Sequence, residues 1–319
     1  MKTHIVFGIF FFVFLLLGSI SSKWITISDS SVTTWNERTA ARPQTLTTFQ
    51  VSNYPAKYVR GLNNRIDTYT YDKQNEIIYF IMQQTLYGIS KFFKYNIKTN
   101  QIEQTEQIQS FMIDHIQFNP TNEKLYAIIH GSTQQNYSLV EVDREILAVK
   151  QSLMRLPARV SPMPGSYFNL QRQFFSFHAY DYQHDHTVLI TLDLSDNTTE
   201  RLIQSKQFDL NVYGFGYIPS DSLVALWQYN IVTPMVTIQI DEQTGKQIRN
   251  VTITPNQVRI AQGFKPFSMD FQNQLFYVLS WADDLSATYI SKINMQTIDV
   301  QIITIKGQVI KDYIFYKQS

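Results

Sequence analysis

Short hydrophobic runs recur along this chain at nearly constant spacing. Each run follows a turn rich in Asn, Gln, Asp or Pro, and none of them shows a helical period. The first apolar residues of the five runs, separated by 48, 49, 49 and 52 residues, are Ile77, Leu125, Phe174, Leu223 and Leu275. We call these five positions the anchor residues. Their spacing predicts five equivalent structural units.

A second set of runs follows the first in every unit. Apolar and polar residues alternate up to an Asn or Asp, as they do in a half-buried strand. The equivalent positions are Asn96, Asp143, Asp193, Asp241 and Asn294. Because an Asn or Asp side chain can start a tight turn, we expect a turn there, with a positive φ at a Gly or Asn several residues later. The two sets together predict a hairpin in each unit.

The repeat predicts an all-β fold, a β-propeller of four-stranded antiparallel blades. An inner strand precedes each anchor strand, for example at residues 65–71 and 112–118, and a hairpin strand and an outer strand follow it. A single blade cannot bury both of its faces, so neighbouring blades must stack around an axis.

The five units span about residues 64–305 and leave a flank at each end of the chain. The C-terminal flank, residues 309–318, is typical of an innermost strand without partners. The N-terminal flank offers three strands, at residues 23–28, 45–52 and 55–61. One shared blade made from both flanks would close the ring, with a surface loop at residues 29–43. We therefore predict one domain over residues 23–319 with six blades, and seven blades are the main alternative.

The repeat resembles the broad group of extracellular propellers that includes the YVTN, NHL and quinoprotein types. Residues 241–246, DEQTGK, are similar to the turn that ends a blade in quinoprotein repeats. The Trp that those repeats place soon after the turn is missing in all five units. The resemblance therefore implies the propeller architecture and speaks against a quinone cofactor. A shared fold by itself carries no function.

Residues 1–22 have the layout of a secretory signal peptide. A short basic start is followed by an apolar run at residues 5–20 and then by small residues. This run is shorter than the ~20 residues that a membrane-spanning helix needs. We predict a secreted protein, or one in the secretory lumen, with no membrane span in the mature chain; an uncleaved membrane anchor is the alternative. The sequons predict N-glycosylation at Asn136, Asn197 and Asn250.

Composition narrows the possible functions. Charged residues make up 17% of the chain and the net charge is +1, so nothing favours nucleic acid or an anionic membrane as a partner. The absence of Cys excludes thiolate zinc sites and Cys nucleophiles. A chain of 319 residues can form a large core without disulfides.

Candidate binding residues come from the alignment of the inner strands. Asp67 and Asp114 occupy the same position in adjacent units, His115 follows Asp114, and the next two units present Pro164 and Tyr213 there. Two carboxylates that converge on a central channel could hold Ca²⁺, because hard cations prefer several oxygen ligands. The alternative is that these Asp side chains only accept hydrogen bonds from neighbouring backbone.

Other motifs are better explained by local structure. Residues 184–186, HDH, lie where a hairpin must turn, so we interpret them as a solvated hairpin tip rather than as metal ligands. Asp193, Ser195 and Asn197 have the oxygen spacing of a calcium loop but lack its Gly and Glu, which indicates a hairpin turn. The glycines of residues 214–216 favour close packing near the axis.

Two functions remain open from the sequence. The first, which we favour, is a secreted, non-catalytic module that binds an extracellular protein, peptide or glycan. The second is a calcium-dependent hydrolase similar to the six-bladed lactonases, with Asp67 and Asp114 among its ligands. No GxSxG, HExxH or P-loop motif is present.

Overall fold

The structure, a computed structural model, describes β-strands and the turns that join some of them. The described residues are 23–27, 31–36, 44–48, 58–59, 69–84, 90–105, 111–131, 137–157, 160–169, 172–195, 200–204, 212–218, 222–227, 236–241, 247–252, 258–260, 267–270, 275–282, 284–294, 296–297, 299–306 and 317–318. Within them the fold is all-β, and no helix of a length and apolarity suited to crossing a membrane occurs. The predicted signal peptide lies outside the described residues.

The described strands form six sheets, and the three that we number 1 to 3 contain thirteen of these strands. Sheet 1 contains β4 (Tyr58–Val59), β5 (Tyr69–Asp72), β6 (Ile77–Gln84), β7 (Ser90–Asn96) and β8 (Gln101–Gln104). Sheet 2 contains β9 (Met112–Asn119), β10 (Lys124–His130), β11 (Tyr137–Asp143) and β12 (Ala148–Arg155). Sheet 3 contains β13 (Val160–Asn169), β14 (Phe174–Asp181), β15 (His186–Asp193) and β16 (Glu200–Gln204).

The remaining three sheets include one that joins the two ends of the chain. Sheet 4 contains β17 (Val212–Ile218), β18 (Ser222–Trp227), β19 (Val236–Asp241) and β20 (Gln247–Thr252). Sheet 5 contains β21 (Val258–Ile260), β22 (Phe267–Asp270), β23 (Leu275–Ala282), β24 (Ala287–Asn294) and β25 (Val300–Lys306). The terminal sheet contains β1 (Lys23–Ile27), β2 (Ser31–Asn36), β3 (Gln44–Thr48) and β26 (Lys317–Gln318).

These sheets have a β-propeller arrangement, as the repeat predicts. The inner strands of sheets 1 to 4 lie side by side in chain order, β5 next to β9, β9 next to β13 and β13 next to β17. Apolar clusters fill the spaces between the terminal sheet and sheet 1, between sheets 1 and 2, and between sheets 2 and 3. The hydrophobic core is therefore divided among the contacts between neighbouring sheets.

Burial explains why the sequences of the anchor strands are nearly continuous hydrophobic runs. Middle strands such as β10 and β14 are buried at nearly every position, because each has a neighbouring sheet on both faces. Outer strands such as β12 and β25 are mostly exposed, and their sequences mix polar with apolar residues. The run that carries the repeat is thus a strand that the fold buries along most of its length.

The predicted Asn and Asp turns are confirmed where the structure describes them. The side-chain oxygen of Asn96 accepts hydrogen bonds from the backbone N–H groups of Lys98 and Thr99, at 3.0 and 3.1 Å. Equivalent bonds form at Asp143, Asp193 and Asn294. The expected positive φ occurs at Asn100, but in sheet 2 it occurs at Leu147, which is neither Gly nor Asn.

Two expectations for the N-terminal flank are wrong. Residues 29–43, predicted as a loop, contain β2, which pairs with β1 through Val32 and Ile27. The Ser and Thr content suggested a loop, yet Thr and Val are β-branched and fit a strand. Residues 55–61, predicted as a strand of the shared sheet, contain β4, and β4 pairs with β6 of sheet 1. At the other end of the chain, Lys317 and Gln318 pair with Trp24 and Lys23.

Antiparallel pairing gives every sheet two ends, which we call its upper and lower faces. The lower face carries the turns that join the first strand to the second and the third to the fourth. The upper face carries the turn between the second and third strands, and every inner strand begins there. Because the sheets surround one axis, turns of the same type gather on the same face of the molecule.

An ionic contact joins sheets 1 and 2 at the lower face. Arg144, in the β11–β12 turn, donates hydrogen bonds to Asp72 Oδ2 at 3.0 Å and to the hydroxyl of Tyr79 at 3.0 Å. The Asp72 side chain is fully buried, and the guanidinium group lies 5.0 Å from the ring centroid of Phe118. Asp72 also starts its own turn by accepting a hydrogen bond from the backbone of Asn75.

Candidate functional site

The inner strands of three sheets contain a register shift near the upper face. In sheet 2, His115 pairs with Ile128 and Ile113 with Ile129, so that Asp114 is an extra residue in β9. In sheet 4, Tyr213 is the extra residue of β17 between two paired neighbours. In sheet 3, residues 163–165 of β13 are skipped between two paired neighbours. Each shift changes the direction in which the side chains point at that position of the strand.

The inner strands of sheets 1 and 5 are each divided into two pieces. In sheet 1, β5 and β4 both pair with β6, and residues 60–68 separate them. In sheet 5, β22 and β21 both pair with β23, and residues 261–266 separate them. These two connecting segments lie outside the described residues.

All five interruptions occupy the same height in the sheet. Pairing between the inner strand and the anchor strand continues to the third residue after each anchor and is then broken. The third residues are Phe80, Ile128, Phe177, Leu226 and Val278. We call this set of interruptions the inner-strand break. Because inner strands lie next to the axis, the break marks the part of the axis nearest the upper face.

The candidate residues aligned from the sequence coincide with the inner-strand break. Asp114 and Tyr213 are the extra residues of β9 and β17, and Pro164 lies within the skipped segment of β13. Asp67 belongs to residues 60–68 and lies outside the described residues. His115 is the first paired residue after the break in β9, where its buried ring packs on Phe177 of sheet 3 with centroids 5.5 Å apart.

Asp114 faces a histidine that the sequence reasoning missed. The buried carboxylate oxygen Oδ2 of Asp114 lies 3.5 Å from Nε2 of His130, the last residue of β10. His130 Nδ1 lies 2.8 Å from the carbonyl oxygen of Gly131. A carbonyl only accepts, so Nδ1 carries the proton and donates it. In the neutral ring, Nε2 then presents a lone pair towards Asp114.

Burial favours the neutral form of two imidazoles near the break, those of His130 and His178. It lowers the pKa of His130, against the opposing effect of the hydrogen bond to Gly131. It lowers the pKa of His178 to about 3, and the imidazole of His115 adds to this effect. His178 lies in β14 opposite the skipped segment of β13. A signal was present in the sequence, because His130 and His178 both follow their anchor residues by a few positions.

The chemistry available here is that of one buried carboxylate and three buried imidazoles. Neutral imidazoles can accept a proton or bind a metal. Among the residues that the structure describes, no three His, Asp or Glu side chains converge as a metal-binding group. Asp114 could supply one oxygen ligand to a cation.

The hairpin motifs lie where the sequence analysis expected them. His184 and Asp185 are in the β14–β15 turn, where His184 Nδ1 lies 3.0 Å from Asp181 Oδ2. Ser195 donates hydrogen bonds to Asp193 through both its N–H and its hydroxyl, as in a hairpin turn. Asn250 is exposed on the outer strand β20. Asn136 and Asn197 lie outside the described residues.

Comparison with known proteins shows the fold alone. No protein-family model matches this sequence, and no curated protein matches it. Among solved structures, the nidogen/laminin complex matches with a TM-score of 0.56 at 8% identity, over 89% of this chain and 93% of that one. A proposed 6-phosphogluconolactonase from Bacteroides fragilis matches with a TM-score of 0.50 at 9% identity, over 94% and 98%. An oligogalacturonate lyase solved with manganese matches with a TM-score of 0.50 at 9% identity, over 80% and 71%.

Proposed function

We propose that this chain is a secreted, non-catalytic propeller that binds an extracellular partner at its upper face. The observation that carries the proposal is the inner-strand break, which recurs in five sheets. Below this height, the pairing between the inner strand and the anchor strand is regular. Above it the pairing is interrupted, so the residues at the upper end of the axis differ from sheet to sheet. Variable residues on a rigid scaffold are the usual place for binding functions.

The ring in this proposal has six blades. The described strands fall into six sheets, and β26 pairs with β1 in the sheet made from both ends of the chain. That pairing supports closure by the chain termini, because a closed ring leaves no open edge at the axis. Experimental density that contains a seventh sheet would contradict this count.

The proposed partner is a protein. The nidogen structure of the same fold was solved with laminin, so this architecture is compatible with protein binding. On this chain, the upper face carries Tyr182 in the β14–β15 turn, 59% exposed, and its ring packs edge-on against Tyr180 with centroids 5.2 Å apart. Exposed Tyr side chains are typical of protein interfaces, because a rigid ring covers a large area at low entropic cost.

A pair of photo-crosslinking variants tests which face binds. Benzoylphenylalanine replaces Tyr182 on the upper face or, as the matched control, Ile146 on the lower face, which is 67% exposed in the β11–β12 turn. Each variant is expressed in a secreting cell and irradiated at the cell surface and in the medium. We expect a discrete crosslinked protein from position 182 and none from position 146. Equal crosslinking from both positions, or crosslinking from position 146 alone, would contradict the proposal.

The second candidate function is a calcium-dependent hydrolase. The observation that favours it is the buried carboxylate of Asp114 in the break of β9. Calcium titration of the wild type and of the Asp114→Asn and Asp67→Asn variants tests it, with the melting temperature and the hydrolysis of lactones and esters as readouts. Calcium-dependent stabilisation together with turnover, both lost in the variants, would replace the binding proposal. No response to calcium and no turnover would remove the hydrolase.

A further inference from the structure

Two pairs of a His and an Asp side chain differ in their geometry. In the β14–β15 turn, His184 Nδ1 lies 3.0 Å from Asp181 Oδ2, a distance that fits a hydrogen bond with one proton between the two atoms. At the inner-strand break, His130 Nε2 lies 3.5 Å from Asp114 Oδ2. This separation exceeds the usual length of an N–H···O bond. The pair at the break therefore needs a different explanation.

The pair at the break brings two hydrogen-bond acceptors together. Because His130 Nδ1 donates a hydrogen bond to the carbonyl oxygen of Gly131 at 2.8 Å, Nε2 of the neutral ring carries a lone pair. The ionised carboxylate of Asp114 also presents only lone pairs. Two acceptors that face each other repel, and Asp114 and His130 are only 8% and 5% exposed. A positive charge held between Nε2 and Oδ2 would replace this repulsion by attraction.

The separation of the two atoms fits a metal ion better than a shared proton. A shared proton would hold the nitrogen and the oxygen about 2.7 to 2.9 Å apart, as in other charge-assisted hydrogen bonds. A tetrahedral Zn²⁺ ion lies about 2.0 to 2.2 Å from its His nitrogen and Asp oxygen ligands, which places those two atoms about 3.4 Å from each other. The distance of 3.5 Å between His130 Nε2 and Asp114 Oδ2 is close to that value. The pair thus has the geometry of two neighbouring ligands of one ion.

The surrounding structure holds both side chains in this orientation. Asp114 is the extra residue at the register shift of β9, and a bulge of this kind turns a side chain out of the regular alternation of a strand. Metal-binding His residues usually donate their other ring N–H to a backbone carbonyl or a carboxylate, as His130 Nδ1 does here. The ring of His130 also packs on Tyr137, with centroids 4.9 Å apart, and the hydroxyl of Tyr137 lies 3.2 Å from Ser161 Oγ of sheet 3.

We infer that Asp114 and His130 form a binding site for a first-row divalent cation such as Zn²⁺, with water in the remaining coordination positions. An imidazole ligand favours Zn²⁺ over Ca²⁺, because Ca²⁺ prefers oxygen ligands alone. Two protein ligands make this site weaker than zinc sites with three or four. The inference does not depend on the proposed partner, and it differs from the calcium-dependent hydrolase in its ion and in its use of His130.

The first test measures zinc binding and uses a matched control. Isothermal titration calorimetry at pH 7.5 follows the binding of Zn²⁺ to the exported, untagged protein. Asp114→Asn removes one ligand but keeps a hydrogen-bond donor towards His130 Nε2, His130→Gln removes the other ligand, and the control His184→Gln changes the second pair. We expect one Zn²⁺ per chain in the wild type and in the control, with an affinity about tenfold or more lower in the two ligand variants. No binding to the wild type, or a loss in the ligand variants no larger than in the control, would overturn the inference.

The second test identifies the nitrogen ligand. Cu²⁺ at one ion per chain serves as the probe, because electron spin echo envelope modulation detects the remote nitrogen of a coordinated imidazole. We expect the signal of one imidazole in the wild type and in His184→Gln, its loss in His130→Gln, and no change when Ca²⁺ is added in large excess. Far-UV circular dichroism shows whether each variant is folded. A signal that persists in His130→Gln, or that Ca²⁺ removes, means that other residues bind the ion, which overturns the inference.

Discussion

The lower and upper halves of the inner strands differ in regularity. In the lower half, the pairing with the anchor strand is continuous in all five sheets, and Asn or Asp side chains order the turns at that end. In the upper half, the same strands are interrupted by insertions of different lengths. One repeat can therefore keep a constant scaffold at one end of the sheets while the residues at the other end vary.

The largest expected effect concerns the lower face, at the contact between sheets 1 and 2. Arg144→Ala removes the cation that pairs with the fully buried Asp72 carboxylate and leaves only the hydrogen bonds from Asn75, so we expect a loss of about 3 kcal/mol in the free energy of unfolding. Urea unfolding measures this loss. The control is Arg249→Ala, which removes an exposed hydrogen bond to Gln239 and should change stability by less than about 0.5 kcal/mol. Equal losses of stability in the two variants would show that the contact between Arg144 and Asp72 does not stabilise the lower face.

A smaller effect is expected in the upper half, where two substitutions of Asp114 should differ. Asp114→Ala removes a carboxylate that faces the lone pair of His130 Nε2 with no proton between the two groups, so we expect a loss of at most about 1 kcal/mol in the free energy of unfolding. Asp114→Asn should cost less than about 0.5 kcal/mol, because an amide N–H can donate to the lone pair on His130 Nε2. Urea unfolding at pH 7.5 separates the two variants. A larger loss in Asp114→Asn than in Asp114→Ala would contradict a neutral His130 ring with its proton on Nδ1.

The sequence predicts the regular half of the molecule better than the interrupted half. The anchor residues and the turn residues repeat because every sheet buries its middle strand and turns in the same way. The division of two inner strands could not be predicted, because insertions such as residues 60–68 do not repeat. Arg144 and Asp72 are 72 residues apart, and nothing local in either segment indicates their contact. β2 was missed because its Thr residues resemble a loop in composition.

The candidate site, too, could be predicted from the sequence only in part. Aligning the inner strands brought Asp114 and Tyr213 to equivalent positions, and the structure confirms that equivalence at the inner-strand break. The alignment did not find His130 or His178, because these lie on the anchor strands, whose hydrophobic periodicity hides single polar residues. The signal that could have identified them is a single polar residue in an otherwise apolar run.

A pH dependence of stability is also expected from His178. Its pKa in the folded protein is about 3, and in the unfolded chain it is about 6.5, so the unfolded state binds more protons between these values. Stability therefore falls as the pH decreases below about 6.5, by at most about 1.4 kcal/mol per pH unit from this residue. Urea unfolding at pH 7.5, 6.0 and 5.0 should show a weaker pH dependence in His178→Gln than in the wild type. An unchanged slope would show that His178 does not titrate as its burial implies.

The pairing of Trp24 with Lys317 also has a consequence for synthesis. At about 5 to 20 residues per second, a ribosome needs roughly 15 to 60 s to add the chain between these two residues. During that time the inner edge of β1 has no partner, while the sheets that follow it along the chain are already able to form. A nascent chain therefore exposes one pairing edge until Lys317 and Gln318 leave the ribosome, and a chaperone that delays its aggregation would have to cover that edge for this interval.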